Sequence, residues 1–493
     1  MRVYDWIRDN DVRLVFLVAL FARLVVYWWI PVDWNSDSYH HWQISYLTLH
    51  IGLREGRLWD LLGCDYYWGM IPHLVQAALL WVFRSSSIEY IRVFNIIVGS
   101  LNAVLVFKVA LRYYGWGNAV WSGLCFAVFP VSLVFDSVGM QDTFGLFFVL
   151  GSLYLMRTRF FWGGLLLGLA CHTRVEYTLV SLLVLGGFVL RERLFTDSQP
   201  YILGWIAGWG VPSVHVWVQT GNPVYPLYWS LYSVFGGYTS KFKGLPFVDV
   251  FFGWLGSRIG VWGGSLFGLL IIGCGLGGLF LIPWMAYRRW YRYEPLLYWV
   301  SCLMVMVPLF LPYFGGERLY LLLMLRFLVP VVALGLPVLF HLVRRLGGGW
   351  CLLVGTLGIF FLVSVFVVPL YAGLQGTVVY EFSVADRVGE VYDGGVVVCD
   401  LPSVVYRLVG VWGVESDCLL SNLYGPHYYG IEEPEMFLRW LQEENIRIWC
   451  YFGDRGDPVW EAVGGYPGVF ECVWGEPRAG IYLVDQCVIG QIL

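Results

Sequence analysis

The segment 31–42, PVDWNSDSYHHW, combines carboxyl, imidazole and aromatic side chains directly after a long apolar run. A carboxylate fixed at such a helix–loop junction suits a general base that takes a proton from a hydroxyl group. Asp37 is the main candidate for this base and Asp33 is the spare one, while His40 and His41 are candidates for substrate binding. The alternative for Asp37, a solvated loop carboxylate, stays open on this pattern alone.

Two further acids, Asp136 and Asp142, flank a short turn in the sequence FDSVGMQDTFG. Asp142 precedes an apolar run, so one interpretation is that it caps the N-terminus of a helix. The catalytic interpretation is a second carboxylate that orients the acceptor or the hydroxyl groups of a sugar.

Two arginine-containing motifs complete the set of candidates for substrate binding. In HTRVE at 172–176, Arg174 and Glu176 either pair with each other or another acid, or Arg174 holds a phosphate through two parallel hydrogen bonds. Arg326 lies inside an apolar run, where an unpaired guanidinium costs about 2.5–3.5 kcal/mol. It therefore needs an anionic partner, a lipid phosphate or a nearby acid, unless it reaches the ordinary headgroups. Glu317 and Arg318 precede it in PYFGGER.

The histidines and cysteines do not follow the spacing of a zinc motif. Neighbouring residues such as His40 and His41 also point in different directions. No metal ligand and no cofactor are assigned, and one divalent ion held by Asp and His is the weakly supported alternative.

The composition indicates which kind of protein carries these groups. Of 493 residues, 58% are hydrophobic and only 13% are charged, against about 25% charged residues in a typical soluble domain. The net charge of −4 also lacks the basic excess of a nucleic-acid-binding protein. These numbers predict a polytopic membrane protein.

Charge divides the chain into two predicted domains. Residues 371–493 hold 18 acidic and 6 basic side chains, a net charge of −12, whereas residues 1–370 hold 17 acidic and 25 basic ones, a net charge of +8. We therefore expect a multi-pass membrane domain over 1–370, with a large first outer loop at 31–90, and a water-soluble domain over 371–493.

Apolar runs predict about eleven transmembrane helices. They start near residues 13, 91, 118, 143, 160, 177, 201, 261, 296, 321 and 350. The runs at 143–156 and 160–172 are short for a span, which takes about 20 residues. The amphipathic stretch 66–83 is predicted to lie along the outer interface.

The connections between these runs alternate between basic and non-basic character. Basic connections, such as those with Arg157 and Arg159 or Arg344 and Arg345, are expected in the cytoplasm by the positive-inside rule. The candidate site residues and the acidic domain then face outward. Because no GxxxxGK[ST] phosphate loop occurs, a substrate that is already energised on the outer face, such as a lipid-linked one, fits best.

The C-terminal domain shows alternating strand and helix patterns. Residues 394–400 and 446–452 are predicted strands, and 433–444 is a predicted helix with Pro434 at its first position. This alternation predicts a small Rossmann-like α/β unit without the GxGxxG fingerprint.

Several motifs together resemble the GT-C superfamily of integral membrane glycosyltransferases. The resemblance is to its polyprenyl-phosphate-sugar-dependent branch, which includes protein O-mannosyltransferases and lipid A aminoarabinose transferases. The matching pieces, from residue 37 to residue 330, are DSYHHW (37–42), LWDL and YWGMIP (58–72), Arg92 to Asn102, TRVE (173–176), GNPVYP (221–226) and RFLVP (326–330).

The resemblance implies an inverting glycosyltransferase that moves a single sugar, with a hexose such as mannose or a pentose as candidates. Its donor would be linked to dolichyl or undecaprenyl phosphate, and its acceptor a protein, lipid or glycan. Asp37 would be the base, Asp142 the second acid, and Arg318 or Arg326 a ligand of the donor phosphate. A transporter or flippase for a lipid-linked or small anionic substrate is the alternative; an adaptor protein is less consistent with so many spans.

Overall fold

Long apolar runs form α-helices in the computed structural model of this chain, and the acidic C-terminal region forms a mixed α/β structure. The structure describes residues 2–52, 66, 68–191, 198–227, 293–310, 322–345, 349–420, 434–452, 468–476 and 479–492. Two compact units are present. The first, called the helical unit, comprises Met1–Pro31, Tyr66–Pro72 and Arg92–Gly373, and the second, called the mixed unit, comprises Val32–Asp65, His73–Ile91 and Leu374–Leu493.

The helices that lie wholly or mainly in the helical unit follow the predicted apolar runs. They are α1 (Arg2–Trp29), α4 (Glu89–Tyr114), α5 (Trp116–Ala127), α6 (Pro130–Asp136), α7 (Asp142–Leu155), α8 (Phe160–Ala170), α9 (Glu176–Arg191), α10 (Gln199–Thr220), α11 (Tyr293–Phe310), α12 (Leu328–Arg345) and α13 (Gly349–Gly373). A 3₁₀ turn, Leu325–Phe327, precedes α12. Pro130 at the first position of α6 separates it from α5 by a bend of 57°.

Four of the described helical stretches are long and apolar enough to cross a membrane, or five if the bent pair α5–α6 counts as one span. The four are Asp11–Trp29, Glu89–Tyr114, Leu322–Arg344 and Val354–Val391. Other apolar helices, among them α7, α8 and α9, are shorter. The predicted run near residue 261 lies outside the described residues, so the total of eleven spans stays a prediction.

Close packing of small residues joins α8 and α10 within the helical unit. Gly164 and Gly168 on α8 face Gly204 and Gly208 on α10, which gives each helix a GxxxG pattern. A Cβ atom at Gly164 would lie 1.9 Å from the carbonyl oxygen of Tyr201. Only glycine permits such an approach of two backbones, and this is the usual way in which membrane helices pack without a hydrophobic driving force.

The mixed unit contains five strands and the helices around them. The strands are β1 (Val396–Cys399), β2 (Leu419–Leu420), β3 (Ile446–Phe452), β4 (Phe470–Glu476) and β5 (Ala479–Val484). Its helices are α2 (Ser36–Leu47), α3 (Ile71–Phe83, which begins in the helical unit), α14 (Gln375–Val391), α15 (Pro402–Trp412), α16 (Pro434–Glu443) and α17 (Gln486–Ile492), with a π-helix at Thr48–Gly52. Strands β1 and β3 and helix α16 therefore lie within the ranges predicted as strands, 394–400 and 446–452, and as a helix, 433–444.

The sheet differs from the Rossmann-like expectation because it is mixed rather than parallel. Its order is β2-β1-β3-β5-β4, with β1 parallel to β2 and β3. Strand β5 is antiparallel to both β3 and β4. Only residues 477–478 separate β4 from β5 in the sequence, and so short a connection requires an antiparallel pair.

Helix α2, which follows the first apolar run, packs in the core of the mixed unit. The indole of Trp42 is fully buried and meets the ring of Tyr406 edge-on, with 4.9 Å between the centroids. Tyr39 contacts Phe382 in the same way at 5.8 Å. These aromatic contacts place the segment with Asp37 in the same folded unit as the C-terminal strands.

Candidate functional site

A pocket in the helical unit brings together several of the predicted site residues. Its polar lining comes from the ends of α6, α7 and α9 and from the 3₁₀ turn, and consists of Asp136, Asp142, Thr143, Arg174, Glu176, Tyr177 and Arg326. The remaining wall is apolar and comes from Phe135, Leu146, Met306, Phe327, Val329 and Pro330.

Arg174 lies between two acids of this pocket. Its Nη2 donates to Oε1 of Glu176 at 2.9 Å, its Nε donates to Oε2 at 3.2 Å, and its Nη1 lies 3.1 Å from Oδ1 of Asp142. The pairing of Arg174 with Glu176 or another acid was one interpretation of the HTRVE motif, and both acids are present. We call Asp142, Arg174 and Glu176 the open triad, because all three line the pocket.

Both carboxylates of the open triad belong to residues at the start of a helix. Asp142 is the first residue of α7 and Glu176 the first of α9, where the positive end of the helix dipole favours an acidic side chain. The N-cap position of α7 is Gln141, and no side chain caps the helix. The capping interpretation of Asp142 is therefore wrong; its Oδ1 faces Arg174 instead, and no described residue bonds its buried Oδ2.

Arg326 is the last charged residue of the pocket lining along the sequence, and it lies in the 3₁₀ turn before α12. Its side chain is buried, with 7% of the residue exposed. The ring of Phe327 lies near both arginines: its centroid is 5.6 Å from Cζ of Arg174 and 5.9 Å from Cζ of Arg326. Two guanidinium groups thus lie near the same aromatic ring at the pocket, and such contacts with the ring stabilise cations in a desolvated place.

A second ion pair lies beside the open triad, and one of its members was not predicted. Arg23 of α1 is fully buried and donates to Oδ2 of Asp136 from Nε at 3.0 Å and from Nη2 at 2.8 Å. Ser132 donates to the same oxygen, and Thr143 donates to Oδ1 at 2.7 Å. We call Arg23 and Asp136 the closed pair, because described side chains bond both carboxylate oxygens.

The sequence itself marks Arg23 as a residue that needs a partner. It is a lone arginine within the first apolar run, and a charge at such a position requires a partner. Asp136 was noted as a flank of the turn, but the contact between residues 113 positions apart could not be read from spacing.

The residues predicted in the first outer loop belong to the mixed unit. Asp37 lies in the first turn of α2, where its backbone N–H donates to Oδ1 of Asn35 at 3.0 Å. His40 and His41 are buried on α2, and Nδ1 of His41 lies 3.0 Å from Nε2 of His73. Asp33, the spare candidate, is buried, and its Oδ1 accepts from the N–H of Asn35.

Glu317 and Arg318 lie outside the described residues, so their place in the site stays a prediction. Within the described part of the chain, no three His, Cys, Asp or Glu side chains are grouped as ligands for a metal ion. The predicted residues that the structure brings together are therefore Asp142, Arg174, Glu176 and Arg326.

Comparisons with known proteins connect this architecture to solved structures. No protein-family profile and no curated protein sequence matches the chain. The structure of ArnT from Cupriavidus metallidurans in the apo state matches with a TM-score of 0.53 and 14% identity, over 98% of this chain and 99% of ArnT. ArnT from the same organism bound to undecaprenyl phosphate gives a TM-score of 0.51, 14% identity, and coverage of 96% and 98%.

The oligosaccharyltransferase AglB from Archaeoglobus fulgidus, in complex with an inhibitory peptide and a dolichol-phosphate, gives a TM-score of 0.48 and 11% identity over 98% of this chain and 75% of AglB. The fold assignment rests on the ArnT structures, which match over nearly the full length of both chains. At this identity the likeness concerns the fold alone: the chain shares the fold of the ArnT structures, in agreement with the fold that the resemblance of its motifs predicted.

Proposed function

We propose that this chain is an inverting glycosyltransferase that moves a single sugar from a polyprenyl-phosphate donor to an acceptor hydroxyl at the outer face of a cell membrane. The observation that carries the proposal is the pocket of three acids and two arginines in a chain with the ArnT fold. In this proposal residues 1–370 form the catalytic membrane domain, and residues 371–493 form an outer α/β domain.

The arginines supply what the donor needs. A lipid phosphate carries its charge at the edge of the apolar layer, and a buried guanidinium binds a phosphate oxygen through short, charge-assisted hydrogen bonds. Arg326 is buried at the pocket, and Arg174 is already oriented by two acids. Cations placed here stabilise the phosphate as it becomes the leaving group.

The acids supply the other half of the reaction. A carboxylate accepts the proton of the acceptor hydroxyl as its oxygen forms a bond to the anomeric carbon, and the bond from that carbon to the phosphate oxygen breaks. The electron pair leaves with polyprenyl phosphate, which is stable as an anion. The resemblance assigns the base to Asp37, and the second acid to Asp142, whose Oδ2 lies buried at the pocket without a bond from any described residue.

Donor binding provides the first test. The purified full-length chain in detergent is heated with and without undecaprenyl phosphate, and the unfolding temperature is recorded. We expect undecaprenyl phosphate to raise that temperature for the wild type and for Arg387→Met, which removes an exposed arginine from an ion pair with Glu390. We expect Arg326→Met to lose the effect. Equal shifts in all three proteins would contradict the assignment of the phosphate site.

Transfer provides the second test. Vesicles with the reconstituted chain are given undecaprenyl-phosphate-linked hexose or pentose and candidate protein, lipid and glycan acceptors. Loss of a catalytic base lowers a transfer rate about 10²–10⁴-fold, so we expect Asp37→Asn to show this loss and Asp142→Asn a loss of at least tenfold. Undiminished transfer by Asp37→Asn would remove Asp37 from the mechanism. Movement of the lipid-linked substrate without a covalent product would instead favour a transporter, an alternative that the fold comparison does not support.

A further inference from the structure

One face of α4 contacts the turn that connects the closed pair to the open triad. Arg92, Asn95, Gly99 and Asn102 are spaced three, four and three residues apart, so they lie along a single face of the helix. Their residue types are unusual for a stretch that is otherwise apolar and long enough to cross a membrane. We call these four residues the α4 stripe.

Each polar member of the stripe donates to backbone carbonyls of the turn. Nδ2 of Asn95 donates to the carbonyl oxygens of Val138 and Met140, both at 2.7 Å. Nδ2 of Asn102 donates to the carbonyl oxygen of Thr143 at 3.0 Å. Both asparagines are fully buried, so these carbonyls have no water to replace a lost donor.

Arg92 anchors the beginning of the same turn. Its Nε donates to the carbonyl oxygen of Ser137 at 2.9 Å, while its other two nitrogens donate to the carbonyl oxygens of Ile30 and Pro31 at 2.6 and 2.7 Å. The guanidinium therefore ties the end of the first apolar run to the residue that follows Asp136.

Gly99 allows the closed pair to lie directly on the helix. A Cβ atom at this position would be 2.5 Å from Cγ of Asp136 and 2.7 Å from Nε of Arg23. Between Asn95 and Asn102, the stripe thus leaves room for the carboxylate and holds the backbone on both sides of it.

We propose that the α4 stripe is the positioning template of the pocket: it fixes the turn 137–143 and so sets where Asp136 and Asp142 stand relative to each other. None of the four residues lines the pocket, so they act through the two acids rather than on a substrate. Only the identity of the ligand that the pocket binds rests on the proposed function. The positioning of the two acids follows from the contacts of the α4 stripe.

Hydrogen exchange of the full-length chain in detergent micelles tests the positioning. The measured quantity is the exchange rate of peptides that cover residues 134–146 in Asn95→Ala, Asn102→Ala and Ser100→Ala. Ser100 is the matched control, because it is buried on the same helix and its hydroxyl donates only to the carbonyl of Ile96. We expect exchange to become about fivefold faster in Asn102→Ala, which loses one donor, and about 25-fold faster in Asn95→Ala, which loses two. Ser100→Ala should match the wild type.

A conservative variant separates positioning from general loosening. Asn102→Gln keeps an amide donor on the same face and should restore at least half of the protection, whereas Asn102→Asp keeps the size, loses the donor and should not. This comparison also decides the matter if Asn95→Ala fails to fold. Exchange that rises equally in all alanine variants, or a glutamine no better than the aspartate, would overturn the proposal.

Undecaprenyl phosphate is the probe that links positioning to ligand binding. Its stabilising effect on the unfolding temperature should fall in Asn95→Ala and Asn102→Ala and persist in Ser100→Ala. If the wild type itself gains no stability from undecaprenyl phosphate, the proposed function fails, and the exchange experiment still decides the role of the stripe. If the wild type is stabilised and both asparagine variants respond equally well, the stripe does not position the pocket.

Discussion

The closed pair and the open triad use the same kinds of side chain for different purposes. In the closed pair, Arg23 and Asp136 are almost completely buried, and hydrogen bonds from described side chains reach both carboxylate oxygens. In the open triad, Arg174 forms ion pairs with two acids, and one oxygen of Asp142 has no bond from a described residue. The two clusters meet at one pocket.

This difference shows how stability and binding can be separated over a few residues. A buried ion pair whose two carboxylate oxygens both accept hydrogen bonds from the protein has less capacity left for a ligand. Such a pair is costly to break because a single charge would remain. A cluster with an unused acceptor can exchange an internal contact for one with a substrate. We therefore expect substitutions in the closed pair to affect folding and those in the open triad to affect binding and transfer.

The largest effect on stability is expected for Arg23→Met. It leaves the charge of Asp136 buried without its cation, which costs about 3–5 kcal/mol of unfolding free energy. Denaturant titration in mixed micelles measures this loss. Arg387→Met is the control, because it breaks an exposed pair that contributes little.

A double variant tests the physical reason. Arg23→Met combined with Asp136→Leu removes both charges, so it should recover most of the stability that the single change loses. If the double variant is as unstable as the single one, lost packing rather than an uncompensated charge explains the defect.

A smaller loss is expected for Arg174→Lys. An ammonium keeps the charge, but it cannot form the two parallel hydrogen bonds to Glu176 and also reach Asp142. We expect the unfolding free energy to fall by about 1.5–3 kcal/mol, the range for hydrogen bonds to charged groups. The same titration measures it, and a loss as large as that of Arg23→Met would remove the distinction between the two clusters.

The smallest effect on stability is expected for Asp142→Asn, although this change is expected to lower the rate of transfer. The amide oxygen can still accept from Arg174, which keeps its bonds to Glu176. We expect a change below about 1 kcal/mol in unfolding free energy. A variant that both unfolds easily and loses transfer would show that Asp142 is structural, like Asp136.

Local patterns predicted the elements better than the contacts between them. Strand β3 and helix α16 follow from the alternation of apolar residues and from Pro434, because both depend on neighbours in sequence. The pairing of Arg174 with Glu176 could also be predicted, because only one residue separates them in the HTRVE motif. The antiparallel pairing of β3 with β5 was not predicted, because the two strands are far apart in the sequence.

Contacts between distant segments of the helical unit could not be predicted from the sequence for a related reason. Arg23 has its partner 113 residues away, and the spacing of Arg92, Asn95 and Asn102 on α4 predicts a common face but not what that face meets. The assignment of Asp37 to the mixed unit was equally hidden, because it depends on aromatic contacts with residues beyond 380.

The shortness of α7 and α8 has a consequence for the bilayer around them. Their 14 and 11 residues correspond to about 21 Å and 17 Å of helix, whereas the hydrocarbon layer is about 30 Å thick. Such a mismatch is relieved when lipids thin locally or water reaches inward. Asp142 begins α7 and Arg174 follows α8, so the headgroup plane would dip toward the end of the hairpin that carries the charges. A thinned patch of membrane would shorten the distance that the phosphate of the proposed donor must travel to reach Arg174 and Arg326.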